Sequence, residues 1–174
     1  MILKTENLTL RPWQEDDAKC LYYFAKNPNI GPIAGWPPHE SVEDSLNIIK
    51  TVFSKKETYA IVKDDIPIGC AALLFHPDTN HWWGEDSAEL GYWIAEDYWG
   101  NNYATEASKT LIKRAFDDLG VKKICASYRV GNAQSKRVLE KLNFKYLDEL
   151  NNINYLGEEI TEIAVKLEKE EFNG

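Results

Sequence analysis

The residues with the most chemical scope sit in one stretch. Trp99-Gly-Asn-Asn-Tyr-Ala104 separates an apolar, aromatic run, Glu89-Leu-Gly-Tyr-Trp-Ile94, from a segment with helical periodicity. Gly100, Asn101 and Asn102 are the residue types that accept positive φ and can turn their amides to one side. A helix start behind such a loop presents unpaired N–H groups, and pyrophosphate is their usual guest. A plain strand-to-helix turn has the same composition, so the loop alone names no ligand. Three further groups stand out: Glu89, a carboxylate opening an apolar strand; the pair Asn132 and Ser135; and the aromatic loop residues Trp36, His39, Trp82 and Trp83. His39, His76 and His81 have neither a helical spacing nor a companion cysteine, so no metal site is expected. No Gly-x-Ser-x-Gly elbow is present.

These groups need elements to position them. Glu89–Ile94 reads as a strand, with Leu90, Tyr92 and Ile94 on one face and Glu89, Gly91 and Trp93 on the other. From Ala104, small or apolar residues fall at Ala107, Ser108, Leu111, Ile112, Ala115 and Phe116, a helical stripe that Gly120 ends. Lys123–Tyr128 is a strand, and Asn132 starts a short helix closed by Asn143. Ahead of this unit come a strand at Leu8–Pro12, a helix opened by Glu15-Asp-Asp17 and a loop from Asn29 to His39. A helix capped by Ser41 follows, then a hairpin of Thr58–Lys63 and Ile66–Phe75 turned by Asp64-Asp65. A polar loop spans His76 to Ser87. Phe144 to Asn152 and Glu159 to Leu167 form a last hairpin. The order is β-α-α-β-β-β-α-β-α-β-β: an α/β (α+β) fold with a mixed, mostly antiparallel sheet and one parallel pair crossing right-handed.

With 174 residues the chain fits one domain, 1–174, and can bury a core. No apolar run is long enough to span a membrane and the N-terminus has no secretory pattern, so a cytoplasmic protein is expected. Cys20, Cys70 and Cys125 read as reduced, scattered thiols. A net charge of −8 opposes binding to a nucleic-acid backbone and is compatible with a cationic acceptor, though acidity for solubility alone explains it too.

Tyr98-Trp-Gly-x-x-Tyr-Ala-Thr-Glu-Ala107 resembles the acetyl-CoA-binding motif of the GNAT superfamily of N-acetyltransferases, most closely its RimJ/RimL-like branch, which modifies the N-termini of ribosomal proteins. The family loop runs Gln/Arg-x-x-Gly-x-Gly/Ala; Trp99, Asn102 and Ala104 take its first, fourth and sixth positions. Asn102 replaces a customary Gly, which the positive-φ tolerance of Asn should accommodate. The resemblance covers nearly the whole chain and is specific from about Glu89 to Phe144. It implies the GNAT fold, in which the parallel strands splay apart, and acetyl-CoA as co-substrate.

The resemblance also assigns roles. Trp99, Gly100, Asn101, Asn102, Tyr103, Ala104 and Thr105 would hold the pyrophosphate, backbone groups of Trp93 and Ile94 the pantetheine and thioester, and Asn132 the pantetheine arm. Glu89 would be the general base and Ser135, near the thiol, the general acid. A Tyr acid common in the family would fall at Leu139, so that route is absent. On residue type alone Glu89 is equally a structural partner, and Asn132 and Ser135 are equally helix caps. Trp36, His39, Trp82 and Trp83 lie in loops that frame the family's acceptor cleft, or are surface loops folded on their own tryptophans.

The expectation is an enzyme that transfers acetyl directly to a primary amine, without a covalent intermediate. A protein N-terminal α-amine and a small-molecule amine (polyamine, aminoglycoside or amino-acid derivative) both remain as acceptors, and a non-catalytic acyl-CoA-binding module is the rival class. Homodimers occur in the family; the sequence names no interface.

Overall fold

Alternating apolar residues fix where the sheet lies. In the computed structural model, which describes residues 1–173, Thr58–Lys63 and Ile66–Leu74 are almost wholly buried strands, β3 and β4. Asp64 and Asp65 join them with φ of 48° and 65°, the doubly positive geometry of a tight hairpin turn. Ahead of them lie β1 (Leu3–Lys4) and β2 (Thr9–Arg11), and beyond them β5 (Ser87–Ile94), β6 (Lys123–Arg129), β7 (Lys145–Ile153) and β8 (Glu159–Glu168). The eight strands form one sheet in the order β1-β2-β3-β4-β5-β6-β8-β7. Every neighbour pair is antiparallel except β5 with β6. This is the mixed sheet with one parallel pair that the sequence implied.

Each face of the sheet carries its own helices. On one, α4 (Tyr103–Asp117) buries the expected stripe, Ala107, Ser108, Leu111, Ile112, Ala115 and Phe116. It packs with α5 (Ala133–Lys141) over Leu90, Ile94, Ile124 and Ala126. On the other, α1 (Ala18–Ala25) and α3 (Val42–Thr51) pack over Ala60, Val62 and Cys70, with Trp93 at the margin. Ser41 caps α3 by accepting the Asp44 amide at 3.0 Å, and Asn132 caps α5 by accepting the Ser135 amide at 3.0 Å.

Two local readings change. The Asn29–His39 loop contains a short helix, α2 (Gly31–Ala34), because Pro32 suits a first turn and Gly35, at φ +94°, closes it. The acids Glu15-Asp-Asp17 form a 3-10 turn before α1. Asp17 serves Arg11 instead, in a bidentate pair at 2.7 and 2.8 Å.

The α4 helix is anchored by a buried ion pair. Arg114 donates to both oxygens of Glu57 at 2.8 Å, and Tyr59 adds a third bond at 2.8 Å. Burial alone would push the Glu57 carboxyl up, but Arg114 and Tyr59 hold it below its usual range. Removing one partner strands a buried charge. We expect Arg114→Leu to cost about 3 kcal/mol, a fall of roughly 10 °C in Tm for a chain of this size. A depressed carboxyl stabilises the fold above its unfolded pKa of about 4.3 and loses that contribution as pH falls. The acid limb of stability against pH should therefore flatten in the variant, as denaturant melts across pH would register.

Candidate active site

The parallel pair makes the site. β5 and β6 are in register only at Ser87–Lys123, Ala88–Ile124 and Glu89–Cys125. Beyond Glu89 they part, although β5 stays paired with β4 as far as Ile94. The splay opens a cleft of about 520 Å³ whose walls include Tyr92, Ile94, Tyr128 and Ser135. Alternation along β5 decides which backbone groups meet it. The Trp93 carbonyl lies against Gly69 of β4, and the Ala95 amide bonds the Ile68 carbonyl, so Trp93 is turned to the neighbouring strand. Tyr92 and Ile94 turn to the opening. Of the two expected backbone sites, Ile94 is thus the one whose backbone is turned to the opening, and its carbonyl accepts the Trp99 indole at 2.7 Å.

The loop behind Trp99 has the shape its residues suggested. Gly100 sits at φ +79° and Asn102 at φ 61°, left-handed, as N-cap of α4. The substitution of Asn for the family's Gly is therefore accommodated. The first α4 hydrogen bond runs from the Glu106 amide to the Asn102 carbonyl at 2.9 Å, which leaves the amides of Tyr103, Ala104 and Thr105 without a place in the helix ladder. The Thr105 hydroxyl is buried with no partner. Asn101 bridges the Tyr98 and Trp99 carbonyls at 3.0 and 3.1 Å. Lys141 reaches Asn102 from α5, and Arg137, one turn earlier on α5, also lines the cleft. Amides, a helix dipole and two cations fit a pyrophosphate. The two cations were legible as an i, i+4 pair on the short helix, but the sequence could not place that helix beside the loop.

Strand alternation and register sort the remaining groups by face. Tyr92 shares the α4–α5 side with Ser135, whose hydroxyl lies 2.9 Å from the Tyr92 phenol. Glu89 lies on the opposite side, as do Ser127 and Glu162 through the Cys125–Lys166, Ser127–Ala164 and Arg129–Glu162 register. The half lined by helix amides and cations and the half lined by carboxylates thus meet through the splay.

Glu89 is buried, with 4% exposure. It accepts from the Asn80 amide at 2.9 Å, the Asn80 side chain at 2.5 Å and the Trp83 indole at 2.6 Å. It clamps the 76–86 loop over the vertex of the splay. Glu162 is the more open carboxylate: Asn152 donates to it at 2.5 Å, Ser127 at 3.4 Å, and His81 lies 3.7 Å away. On β8 it shares the face of Ala164, Lys166 and Glu168, opposite Ile163, Val165 and Leu167, an alternation present in the sequence.

The four loop residues expected around an acceptor do not converge. Trp36 packs edge-on against Trp93 at 5.8 Å and against His39 at 5.4 Å. A Cβ on Gly31 would meet the Trp36 ring at 2.6 Å. His39 bonds Ser45 at 2.8 Å, and its burial lowers its pKa. These two therefore back α2, whose residues Pro32, Ile33 and Ala34 line the cleft in their place. Trp82 is 61% exposed and leans on His76. Only Trp83 reaches the site, through Glu89. Among the described residues no cluster of three His, Cys, Asp or Glu groups suits a metal ion, and no helix is long and apolar enough to cross a membrane.

Fold and cleft together define an acyltransferase of the GNAT type. A profile of the acetyltransferase (GNAT) domain matches residues 7–145, and the chain belongs to that family of N-acetyltransferases, which use acetyl-CoA. YoaA of Bacillus subtilis, described as an uncharacterized N-acetyltransferase, is 27% identical over 149 residues, 83% of this chain and 82% of its own. RimJ of Mycobacterium smegmatis, solved in complex with CoA-disulfide, shares the fold with a TM-score of 0.79 at 21% identity, covering 96% of this chain and 84% of that one. The ribosomal-protein-S5-alanine acetyltransferase of Vibrio fischeri shares it with a TM-score of 0.74 at 18% identity, covering 100% of both chains.

Two outcomes follow from this geometry. Asn102→Val forces a β-branched residue to positive φ at a cost of about 1–2 kcal/mol, so CoA affinity by calorimetry should fall roughly tenfold; Asn102→Gly should stay within threefold. Glu89→Gln turns one amide donor against the Asn80 side chain and should cost about 2 kcal/mol of stability, read as a lower thermal midpoint.

Proposed function

We propose that the chain transfers the acetyl group of acetyl-CoA to a primary amine, and that the acceptor is a protein N-terminal α-amine. One observation carries the reading: the β5–β6 splay joins an amide- and cation-lined pocket on one face to two carboxylates on the other. The first suits a pyrophosphate, the second an amine that arrives charged and must react neutral. Similarity in fold to a ribosomal-protein acetyltransferase supports the α-amine. So does chemistry, because an α-amine, with a pKa near 8, gives up its proton far more readily than a lysine side chain at about 10.4.

The roles divide by face. Loop Trp99–Thr105, with Lys141 and Arg137, holds the pyrophosphate; Asn132 and the backbone of Ile94 border the path of the pantetheine. When bound, acetyl-CoA supplies the acyl carbon and a thiolate leaving group. On the acceptor side, Glu162 lines the cleft with a side chain 21% exposed, against 4% for Glu89, and we assign it the amine proton. Glu89, expected for that role, has three protein donors and a buried position; it holds the loop that carries Asn80 and His81. Ser135, expected as general acid, is assigned to the sulfur, where its hydroxyl donates a hydrogen bond to the thiolate as it leaves. Three free cysteines, Cys20, Cys70 and Cys125, support a reducing, cytoplasmic setting.

Thiol release from acetyl-CoA, followed with DTNB across peptides beginning Ala, Ser or Met and across small amines, tests the assignment. Release with peptides alone is expected. Release with spermidine or an aminoglycoside alone moves the acceptor to a small molecule, and CoA binding without release for any amine leaves a binding module. On the accepted substrate, Glu162→Gln should lower kcat/KM by about a hundredfold with little change in CoA affinity. An undiminished Glu162→Gln alongside an inactive, folded Glu89→Gln would return the base to Glu89.

A further inference from the structure

Tyr92 has a contact that the roles above leave unused. It extends from β5 on the α4–α5 side, just past the point where β5 and β6 separate, and lines the same cleft as Ser135. Its phenol oxygen lies 2.9 Å from Ser135 Oγ and 3.2 Å from the Ser135 carbonyl. Ser135 is itself fixed from below, its amide bonded to Asn132 Oδ1 at 3.0 Å. As the third residue of α5, it has a carbonyl that the helix ladder already serves. The shorter contact to Oγ is therefore the one that matters.

We infer that Tyr92 is a positioning residue for Ser135: its O–H donates to Ser135 Oγ, which leaves the serine's own proton free to point across the opening at the sulfur of the acyl donor. The inference rests on the acyl-transfer reading. A serine hydroxyl has one proton and rotates freely. Without a donor behind it, that proton can turn to the phenol oxygen or to a nearby carbonyl and be lost to the reaction. A phenol that donates decides the rotor. Burial raises the Tyr92 pKa, so the phenol keeps its proton and has one to donate. In the transfer the amine nitrogen bonds the acyl carbon, the C–S bond breaks and its electron pair stays on sulfur. The amine proton goes to the carboxylate on the acceptor face and returns to sulfur through water. Ser135 stabilises the sulfur charge as it forms, and Tyr92 aims Ser135.

The experiment needs a readout independent of turnover. Bound CoA carries the same sulfur as a thiol, and its ionisation is visible as thiolate ultraviolet absorbance, with the desulfo-CoA complex as blank for the protein's own cysteines. In the wild-type protein the bound thiol should titrate at lower pH than free CoA. Tyr92→Phe, which keeps the ring, should move that titration upward by about half a unit or more, and Ser135→Ala at least as far. An identical titration in wild type and Tyr92→Phe overturns the inference, whether or not an acceptor has been found. On an accepted amine, Tyr92→Phe should lower kcat about tenfold with KM for acetyl-CoA within threefold, and should add nothing to Ser135→Ala. Full additivity of the two substitutions overturns it as well. If Tyr92→Phe does not fold, Ser135→Ala reads the same thiol directly, and an unshifted titration there removes the serine that Tyr92 is held to aim. Absence of release from every amine, with the thiol still shifted, would instead fault the acyl-transfer reading and leave the Tyr92–Ser135 contact standing.

Discussion

Three rungs of parallel pairing, from Ser87–Lys123 to Glu89–Cys125, govern the rest of the structure. A parallel strand pair that stops pairing exposes amides and carbonyls that a sheet would otherwise satisfy, and burial makes that exposure expensive. The fold meets the cost with local substitutes. The Trp99 indole takes the Ile94 carbonyl, and Tyr92 closes one side of the gap against α5. What remains open is a slot between two β-strands with ready hydrogen-bonding groups along its wall, the environment an extended, amide-bearing arm needs.

The splay also joins two faces that a continuous sheet would keep apart. On the α4–α5 side lie groups of a kind that suits an anion: left-handed Asn102, helix amides outside the ladder, Lys141 and Arg137. On the other side lie the carboxylates: Glu162 with Asn152 and His81 near it, and Glu89 holding a loop in place. Strand alternation does the sorting, because a side chain cannot change face without shifting the register of all its neighbours. The ion pair of Arg114 with Glu57 contributes from a distance by fixing the far half of α4, so that its amide end stays aimed at the slot.

Much of this was legible in the sequence for a physical reason: it is local. Helical and strand periodicity placed α3, α4, β3 and β4 closely, and the caps Ser41, Asn132 and Asn143 behave as their types suggest, Asn143 reaching φ 62°. The motif around Trp99 carried the family, which covers most of the chain. What escaped was non-local. Nothing in the sequence ties Tyr92 to Ser135, forty-three residues on, or Glu89 to Asn80 and Trp83 across a loop. Trp36 and His39 were in the right neighbourhood but turn inward, since an indole in a loop gains more by covering Gly31 and Trp93 than by facing water. Whether an aromatic residue lines a cleft or supports its wall depends on packing partners that spacing does not reveal.

The two loop walls beside the cleft share a design. Both hang from carboxylates at the ends of the strand that borders the cofactor slot. Glu89, at the inner end of the paired segment, holds the 76–86 loop through Asn80 and Trp83. Glu96, two residues past the end of β5, takes the Asn27 side chain at 2.5 Å and Asn29 at 3.1 Å, and these bonds keep its carboxyl below the usual range. Asn27 and Asn29 lead directly into α2. The 76–86 wall is held through the Glu89 carboxylate and can adjust at a cost of a few hydrogen bonds, whereas the α2 wall adds to its Glu96 bonds the apolar backing of Ile30, Trp36 and Trp93. The same strand sets the position of the donor slot and of both walls. Acceptor preference can then vary through loop residues without disturbing the part of the fold that holds the acyl donor, and this is why the donor is readable from the motif while the acceptor must be found by assay.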